Sequence, residues 1–310
     1  MLSFIIIGKN EGKNLTACIS SCISFAYNIA IDYEIIYVDS QSTDNSLAIA
    51  SNFNKVKTLI LQSPCNAAKA RNLGARNAEG DYFVFVDGDM VLYPEFGNKI
   101  IKNGELIYPF LNGQRIDIYY DENGRFLSDT KNEVTKIKND KYLITTGGLY
   151  IIKRTLWHQM NGMDSKLRCF EDNDLAYRIY LKKNIKILNV GSIFAEHHTI
   201  GYTNKKRYID LARGNNFLFK GVIFRKYIFS KILIYLVRKN LSFFSLLLAI
   251  FLTAIIQNPS FLLLYVMVLS IKMFFIRKTN DSIPKIKRFF VDGYIDFKIL
   301  YGLLFFYPKK

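Results

Sequence analysis

Short runs of β-branched and aromatic residues alternate with helix-like stretches through the first hundred residues: Phe4 to Ile7, Glu34 to Val38, Val56 to Leu61 and Tyr82 to Val86. Each run is apolar at consecutive positions rather than at every second one, the pattern of strands covered on both faces. With helical segments between them, the runs predict a β-α-β-α order that folds into a parallel sheet flanked by helices. Three of them end in polar turns: Gly8-Lys9-Asn10-Glu11-Gly12, Asp39-Ser40-Gln41-Ser42-Thr43-Asp44 and Asp87-Gly88-Asp89. Ligands of open parallel sheets sit beyond the carboxyl ends of strands, so these turns are expected along one edge.

Residues 112–141 are polar and charged. Within them, alternating Arg115 to Tyr120, a turn at Asp121-Glu122-Asn123-Gly124 and a weaker return strand predict a surface hairpin. An apolar run from Gly148 to Ile152 leads to a helix from about Asp172 to Lys183 and a strand from Ile185 to Val190. The pattern then changes: from Asn240 to Ile271, 32 residues carry no charge, broken by Gln257-Asn258-Pro259-Ser260. One membrane-spanning helix needs about 20 apolar residues, so the stretch is short for two spans and, with its proline, too long for a core helix. A hairpin of two short helices, or a re-entrant loop, is expected at about 241–276.

Charge locates the boundary between the two regimes. A formal charge of +16 raises the question of a polyanionic partner, but residues 1–204 hold 23 Lys/Arg against 22 Asp/Glu, whereas residues 205–310 hold 19 against 4. The excess therefore brackets the charge-free stretch instead of forming a solvent-facing stripe, which argues against nucleic acid. Lys226, Lys231, Arg238 and Lys239 precede that stretch, and Arg277, Lys278, Lys285, Lys287 and Arg288 follow it. Equal basic load on both sides predicts that both ends face the cytosol. Ile228 to Val237 and Phe289 to Tyr307 mix aromatic, aliphatic and basic residues, as helices on an anionic membrane surface do. The expected division is a catalytic domain at 1–204, with a nucleotide-binding half at about 1–100 and an acceptor half at about 101–204, followed by a membrane-associated helical region at 205–310. Cys18, Cys22, Cys65 and Cys169 show neither metal spacing nor a disulfide framework and are expected as buried free thiols in a reducing compartment. Met1 to Gly8 lacks a basic n-region and a cleavage pattern, so it reads as the buried first strand of a cytosolic domain.

Candidate chemistry gathers at the polar turns. Asp87 and Asp89 emerge together at a strand end, an arrangement suited to a hard divalent cation that also takes substrate phosphates as ligands. Two acids at a turn are, on their own, ordinary loop charge. Asp39 supplies a further carboxylate, Ser42 to Ser46 a polar helix start, and Arg71 in Ala70-Arg71-Asn72-Leu73-Gly74 a donor for phosphate or carboxylate. Glu171 and Asp172 begin a helix, where the dipole favours acids whatever else they do. His197 and His198 form an adjacent pair after Glu196, and a neutral imidazole can ligate such an ion.

In order, Gly8-Lys9-Asn10-Glu11, Val38-Asp39-Ser40-Gln41-Ser42-Thr43-Asp44, Ala70-Arg71-Asn72-Leu73-Gly74, Asp81 to Asp89 and Glu171-Asp172 resemble the family 2 glycosyltransferases of GT-A fold over roughly residues 2–200. The resemblance implies an α/β GT-A domain, a Rossmann-like, mostly parallel sheet with helices on both faces, and an inverting, metal-dependent transferase using Mn2+ or Mg2+. It places Gly8, Asn10, Glu11, Asp39, Arg71, Asp87, Gly88, Gly147, Gly148 and Glu171 around a nucleotide-diphosphate sugar, with UDP-sugar favoured. Asp39 would meet base or ribose, Arg71 base or diphosphate, and Asp87 ribose and metal. Asp89 would be the principal metal ligand, one of His197 and His198 a further one near metal or diphosphate, and Asp172 the general base. Thr145-Thr146-Gly147-Gly148 resembles the segment near donor sugar and acceptor, and Gly162-Met163-Asp164 the family's glycine and acidic turn. Gly8 and Lys9 stand where proline and tyrosine are usual, and Ser40 where a second aspartate is frequent, which loosens the identity of the base.

The Q-x-x-R-W signature of processive synthases is absent, and Trp157, the sole tryptophan, precedes the acidic motif. One sugar per encounter is therefore implied, passed to a glycan or lipid-linked glycan (lipopolysaccharide core, O-antigen, capsule or polyprenyl-linked oligosaccharide) at the cytoplasmic face of the plasma membrane. Two alternatives compete. A nucleotidyltransferase needs a Gly-rich basic loop after the first strand, and Gly8 to Gly12 supplies only two glycines and one lysine. A non-enzymatic, membrane-bound nucleotide-sugar-binding protein has no need of both Asp89 and Asp172.

Overall fold

A computed structural model describes residues 1–121, 123–200, 205–275 and 284–308. Two compact units divide the chain, Met1–Gly201 and Tyr202–Lys310. In the first, β1 (Leu2–Gly8), α1 (Leu15–Asn28), β2 (Tyr33–Asp39), α2 (Ser46–Ser51), β3 (Val56–Ile60), α3 (Ala67–Arg76) and β4 (Tyr82–Asp87) alternate as the apolar runs predict. There follow β5 (Met90–Leu92), α4 (Pro94–Ile100), a ribbon of β6 (Ile101–Lys102) and β7 (Glu105–Leu106), β8 (Phe110–Tyr120), β9 (Phe126–Asp129), α5 (Lys131–Val134), β10 (Lys141–Leu143), β11 (Tyr150–Lys153), α6 (Arg154–Gln159), α7 (Glu171–Lys183) and β12 (Ile187–Ile200).

Among the described residues one sheet runs β10-β12-β8-β11-β4-β1-β2-β3, with β5 on β12 and β9 on β8. The four strands β4-β1-β2-β3 are parallel. Beyond them β11 is antiparallel to β4 and to β8, while β8 and β12 are again parallel. Apolar periodicity marks these segments as strands but carries no direction, which depends on how the chain returns. Consecutive burial has a simple cause: Phe4 and Ile6 face the core under α1, while Ile5 and Ile7 face the opposite core with Phe83, Phe85 and Trp157. Each fully buried side chain of this kind contributes roughly 1.5–3 kcal/mol.

Two segments depart from expectation. The hairpin of β8 and β9 forms, with Tyr120 opposite Phe126, although Glu122 of its turn lies outside the described residues. Its first strand is also a central strand of the sheet, paired with β11 and β12. The last strand, expected to end at Val190, continues to Ile200 and carries both histidines within it. Polar residues interrupted the apolar signal there, while long-range pairing with β8 and β5 sustains the strand. The cysteines are free, Cys18 and Cys22 buried and Cys65 and Cys169 partly exposed.

The second unit contains α8 (Lys205–Arg213), α9 (Asn216–Tyr227), α10 (Leu233–Lys239), α11 (Leu241–Ile256), α12 (Leu262–Phe275) and α13 (Lys285–Leu304). A short turn at Pro259–Phe261 separates α11 from α12, because proline cannot continue the first helix. The two helices meet through Leu246, Ala249, Tyr265 and Leu269. Arg225 of α9 caps the C-terminus of α13 by donating to the carbonyls of Leu303 and Phe306, and stacks 4.0 Å from the Tyr307 ring centre. Among the described residues no single helix is long and apolar enough to cross a membrane; α10 and α11 together meet that measure but bend by 104°. Residue 276, Arg277 and Lys278 lie outside the described residues.

Candidate active site

Parallel pairing brings the carboxyl ends of β1, β2 and β4 side by side, with Gly8 opposite Asp39 and Ile7 opposite Asp87. The loops that follow brace each other. Asn10 N–H donates to Ser42 Oγ at 2.9 Å, Thr43 N–H donates to Asn10 Oδ1 at 2.8 Å, and Glu11 N–H donates to Ser46 Oγ at 2.9 Å. Asn10 and Gln41 hold positive φ values of 60° and 62°, a conformation that asparagine tolerates better than most residues. Asn10 thus commits its amide oxygen to the neighbouring loop. Asp39 is fully buried, accepting from Tyr37 OH at 3.0 Å and Ser42 N–H at 2.8 Å. As folded it shapes the loop at 40–44.

Glu11 lies between two glycines. A Cβ on Gly8 or on Gly88 would come within 2.8 Å of Glu11 Cγ, so both positions need glycine for the carboxylate to reach the β4 turn. Burial, and then the charge of Asp89, push the Glu11 carboxyl up to about 7. Asp89 in turn faces His197, with Nε2 3.2 Å from Asp89 Oδ2 and Nδ1 2.8 Å from Asp117 Oδ1. Burial works against the imidazolium, but hydrogen bonds to Asp117 and Asp89 hold it up to about 9. The strand places it there: His197 pairs with Met90 and with Asp117, and His198 N–H donates to Asp89 O at 2.9 Å. His198 alternates away and pairs through Nδ1 with Tyr120 OH at 2.9 Å. Asp117 was missed from sequence. Its one signal was its place on an alternating strand.

Arg71 joins this cluster to the acidic motif. It is 3% exposed; Nη2 donates to Asp87 Oδ1 at 2.7 Å and Nη1 to Glu171 Oε1 at 3.0 Å. Burial disfavours its charge, yet Asp87 and Glu171 together hold the guanidinium more firmly protonated than usual. Both terminal nitrogens of Arg71 are thus engaged by carboxylates, one of the two partner types its chemistry offers. Gly148 packs on this bridge, since a Cβ there would lie 2.5 Å from Asp87 Oδ2 and 2.6 Å from Arg71 Nη2. Gly147 faces open space.

Asp172 follows Phe170, whose left-handed φ of 63° starts α7. Burial, and then the charge of Glu171, push the Asp172 carboxyl up to about 7, the range in which a general base is poised. The approach loop is tied down by residues sequence reading had not singled out for this task. Asn72 Nδ2 donates to Met163 O at 2.8 Å, Asn66 Nδ2 to Ser165 O at 2.9 Å, and Arg178 to the carbonyls of Met160 and Gly162 at 2.6 and 2.7 Å. The turn at Gly162-Met163-Asp164 is thereby anchored to α3 and α7.

Among the described residues no three His, Cys, Asp or Glu side chains already converge as metal ligands. Asp89 Oδ1, however, is buried without a hydrogen-bond partner, and Asp87 and Glu11 concentrate negative charge beside it. An orphaned carboxylate oxygen is costly unless something satisfies it. The site thus fits a hard cation bound by few carboxylates and completed by substrate phosphates.

The family model of glycosyl transferase family 2 matches residues 3–166, more than half of the chain. The chain belongs to that family. Asp172 and His197 lie beyond the matched segment. Among curated relatives, the glycosyltransferase GlyG of Streptococcus pneumoniae is 34% identical over 96 residues, 30% of this chain and 31% of GlyG. A glycosyltransferase of Haemophilus influenzae is 25% identical over 189 residues, 58% of this chain and 62% of that protein. The chain covers less than two thirds of these relatives' own length. The crystal structure of TarS residues 1–349 from Staphylococcus aureus, solved with UDP, superimposes with a TM-score of 0.51 at 19% identity, covering 68% of this chain and 63% of that one. That likeness identifies the first unit as a GT-A fold.

Proposed function

We propose that this family 2 protein is an inverting glycosyltransferase that moves one sugar from a nucleotide-diphosphate sugar to a hydroxyl of a membrane-linked glycan. The observation that carries the reading is the Arg71 bridge, which holds the metal-type turn of Asp87 and the acidic motif of Glu171 and Asp172 as one unit. Asp172 takes the proton of the acceptor hydroxyl as that oxygen attacks the anomeric carbon, while the bond from that carbon to the diphosphate oxygen breaks. Negative charge then builds on the departing diphosphate, on the far side of the sugar. Mn2+ or Mg2+ held by Asp89, Asp87 and His197 would neutralise that charge. Gly147, open to solvent, lets the sugar approach the backbone, and Glu11 closes the floor beneath the β4 turn. TarS, solved with UDP, supports a uridine nucleotide as the first donor to test.

Membrane association is the second half of the proposal. Phe251 and Leu263, at 59% and 67% exposure, stand among many exposed apolar side chains of α11, α12 and α13. Apolar surface on this scale marks an interaction site, and the surrounding excess of Lys and Arg suits the anionic cytoplasmic leaflet of the plasma membrane. We place 241–276 in that leaflet. Purified full-length protein with Mn2+ or Mg2+ should bind and slowly hydrolyse a nucleotide sugar, and should float with phosphatidylglycerol vesicles more than with phosphatidylcholine. Absence of binding and hydrolysis across UDP-, GDP- and dTDP-sugars, with Asp89→Ala changing nothing, overturns the enzymatic reading; failure to float overturns the membrane half alone.

A further inference from the structure

The second unit contains a cavity of its own, about 550 Å3 in volume, bordered by α9, the α10–α11 junction, α12 and α13. That size falls within the range of small-molecule pockets. Its walls differ in chemistry. Lys220, Arg238, Lys239 and Arg288 bring positive charge to it, whereas Phe217, Leu241 and Ile271 line it with hydrocarbon.

The two carboxylates in the lining are already engaged. Asp292 pairs with Lys272 at 2.9 Å, and Asp296 accepts from Tyr265 OH at 3.2 Å. Among the described residues Lys220 makes no ion pair and no hydrogen bond: its Nζ lies 6.0 Å from the Phe224 ring centre, and Asp296 is the acid whose charge reaches it. Burial pulls the Lys220 ammonium down to about 8. A desolvated cation facing a cavity is unfavourable unless an anion completes it. The apolar wall also continues outward. Leu241 and Ile271 are 62% and 47% exposed and adjoin the exposed apolar side chains of α11 and α12. A ligand matched to both features carries an anionic head and a hydrocarbon chain.

We propose that this cavity binds the phosphate or diphosphate head of an amphiphile, with its chain running over Leu241 and Ile271 onto the apolar surface of α11 and α12. Arg238 and Lys239, at the C-terminal end of α10, add charge from the rim. Guanidinium and ammonium groups together suit a multiply charged phosphate oxygen set. The use of such a ligand as the acceptor's carrier rests on the membrane-linked acceptor reading; the binding itself does not.

Calorimetric titration of the full chain in detergent tests it, with farnesyl diphosphate, farnesol and inorganic pyrophosphate as probes and UDP with Mn2+ measured in parallel. Farnesyl diphosphate should bind at least tenfold more tightly than either farnesol or pyrophosphate. Lys220→Met should weaken it at least tenfold, and so should the exposed Arg238→Gln, which tests the same cavity without touching the interior. Lys287→Met, on the exposed side of α13 and outside the lining, should leave it within twofold. Farnesol binding as tightly as the diphosphate would show partition into an apolar surface only, and pyrophosphate binding as tightly would show a free-anion site; either overturns the proposal, as does indifference to both Lys220→Met and Arg238→Gln. Loss of UDP binding with the farnesyl diphosphate response intact counts against the proposed transfer reaction and leaves the cavity standing.

Discussion

Arg71 Nη1 donates to Glu171 Oε1 at 3.0 Å across 100 residues of sequence, and through this contact the nucleotide half of the domain holds the start of α7. The same guanidinium reaches Asp87 at 2.7 Å. Removing it leaves two carboxylates facing each other in a buried setting. Breaking a buried ion pair by deleting one partner costs about 3–5 kcal/mol; because Asp87 is 32% exposed, the lower end of that range is expected here. Arg71→Met should lower the urea midpoint accordingly, and Arg71→Lys should recover less than half of the loss, because one ammonium cannot span both acids. A full recovery by lysine would refute the bridging role.

Asp172 sets two pH responses of opposite sense. As a base it must be deprotonated, so kcat/KM should fall as pH drops below about 7. Its folded value also lies above the unfolded one of 3.8. The folded state therefore holds the proton more tightly, and this group's contribution to stability is lost as pH rises from the unfolded value through about 7. Asp172→Asn should lower kcat by about 10²–10⁴-fold while raising Tm at pH 8 and leaving it nearly unchanged at pH 4. A variant that loses stability at pH 8 would assign Asp172 a structural task instead.

His197, not His198, should govern metal response. Nε2 of His197 lies 3.2 Å from Asp89, and Asp117 holds the opposite ring nitrogen at 2.8 Å. Loss of such an orienting partner typically weakens metal affinity about 10–100-fold. Asp117→Asn and His197→Gln should each weaken Mn2+ binding by about that factor, read by electron paramagnetic resonance of free Mn2+, with His198→Gln within threefold of the parent. Because the His197 imidazolium persists to about 9, Mn2+ must displace its proton, and affinity should climb with pH up to that point. Equal effects of the two histidine variants would defeat the assignment.

Neighbouring glycines should behave differently. Gly148→Ala forces a Cβ to 2.5 Å from Asp87 Oδ2 and 2.6 Å from Arg71 Nη2, so the bridge must shift and both stability and turnover should fall. Gly147→Ala meets nothing within 4 Å. That variant should keep its Tm within about 2 °C, since open sites carry small stability changes, yet raise KM for the donor. Identical Tm losses in the two variants would contradict the close approach at Gly148.

Much of this site was readable from local pattern. The strand-end turns, the acidic start of α7 and the glycines at 147 and 148 all announce themselves by residue type and neighbours. Roles were less readable. Arg71 reads as a donor for phosphate or carboxylate because guanidinium serves both equally well, and residue type alone does not say that Asp87 and Glu171 take its two terminal nitrogens or that Asp39 is buried beside Tyr37. Asp117, Asn66 and Asn72 gave no signal of their tasks, since each acts through a partner far along the chain.

Residues alone sufficed for the alternation of β1 to β4 with their helices, the order of the turns and the change of character after about residue 200, because two-sided burial and uncharged length are local properties of the chain. Tertiary structure decided which histidine faces Asp89, where Arg71 spends its donors and why Gly148 admits no side chain. Those outcomes depend on register between strands and on contacts across a hundred residues, where a one-position slip would turn His197 away and bring His198 in its place.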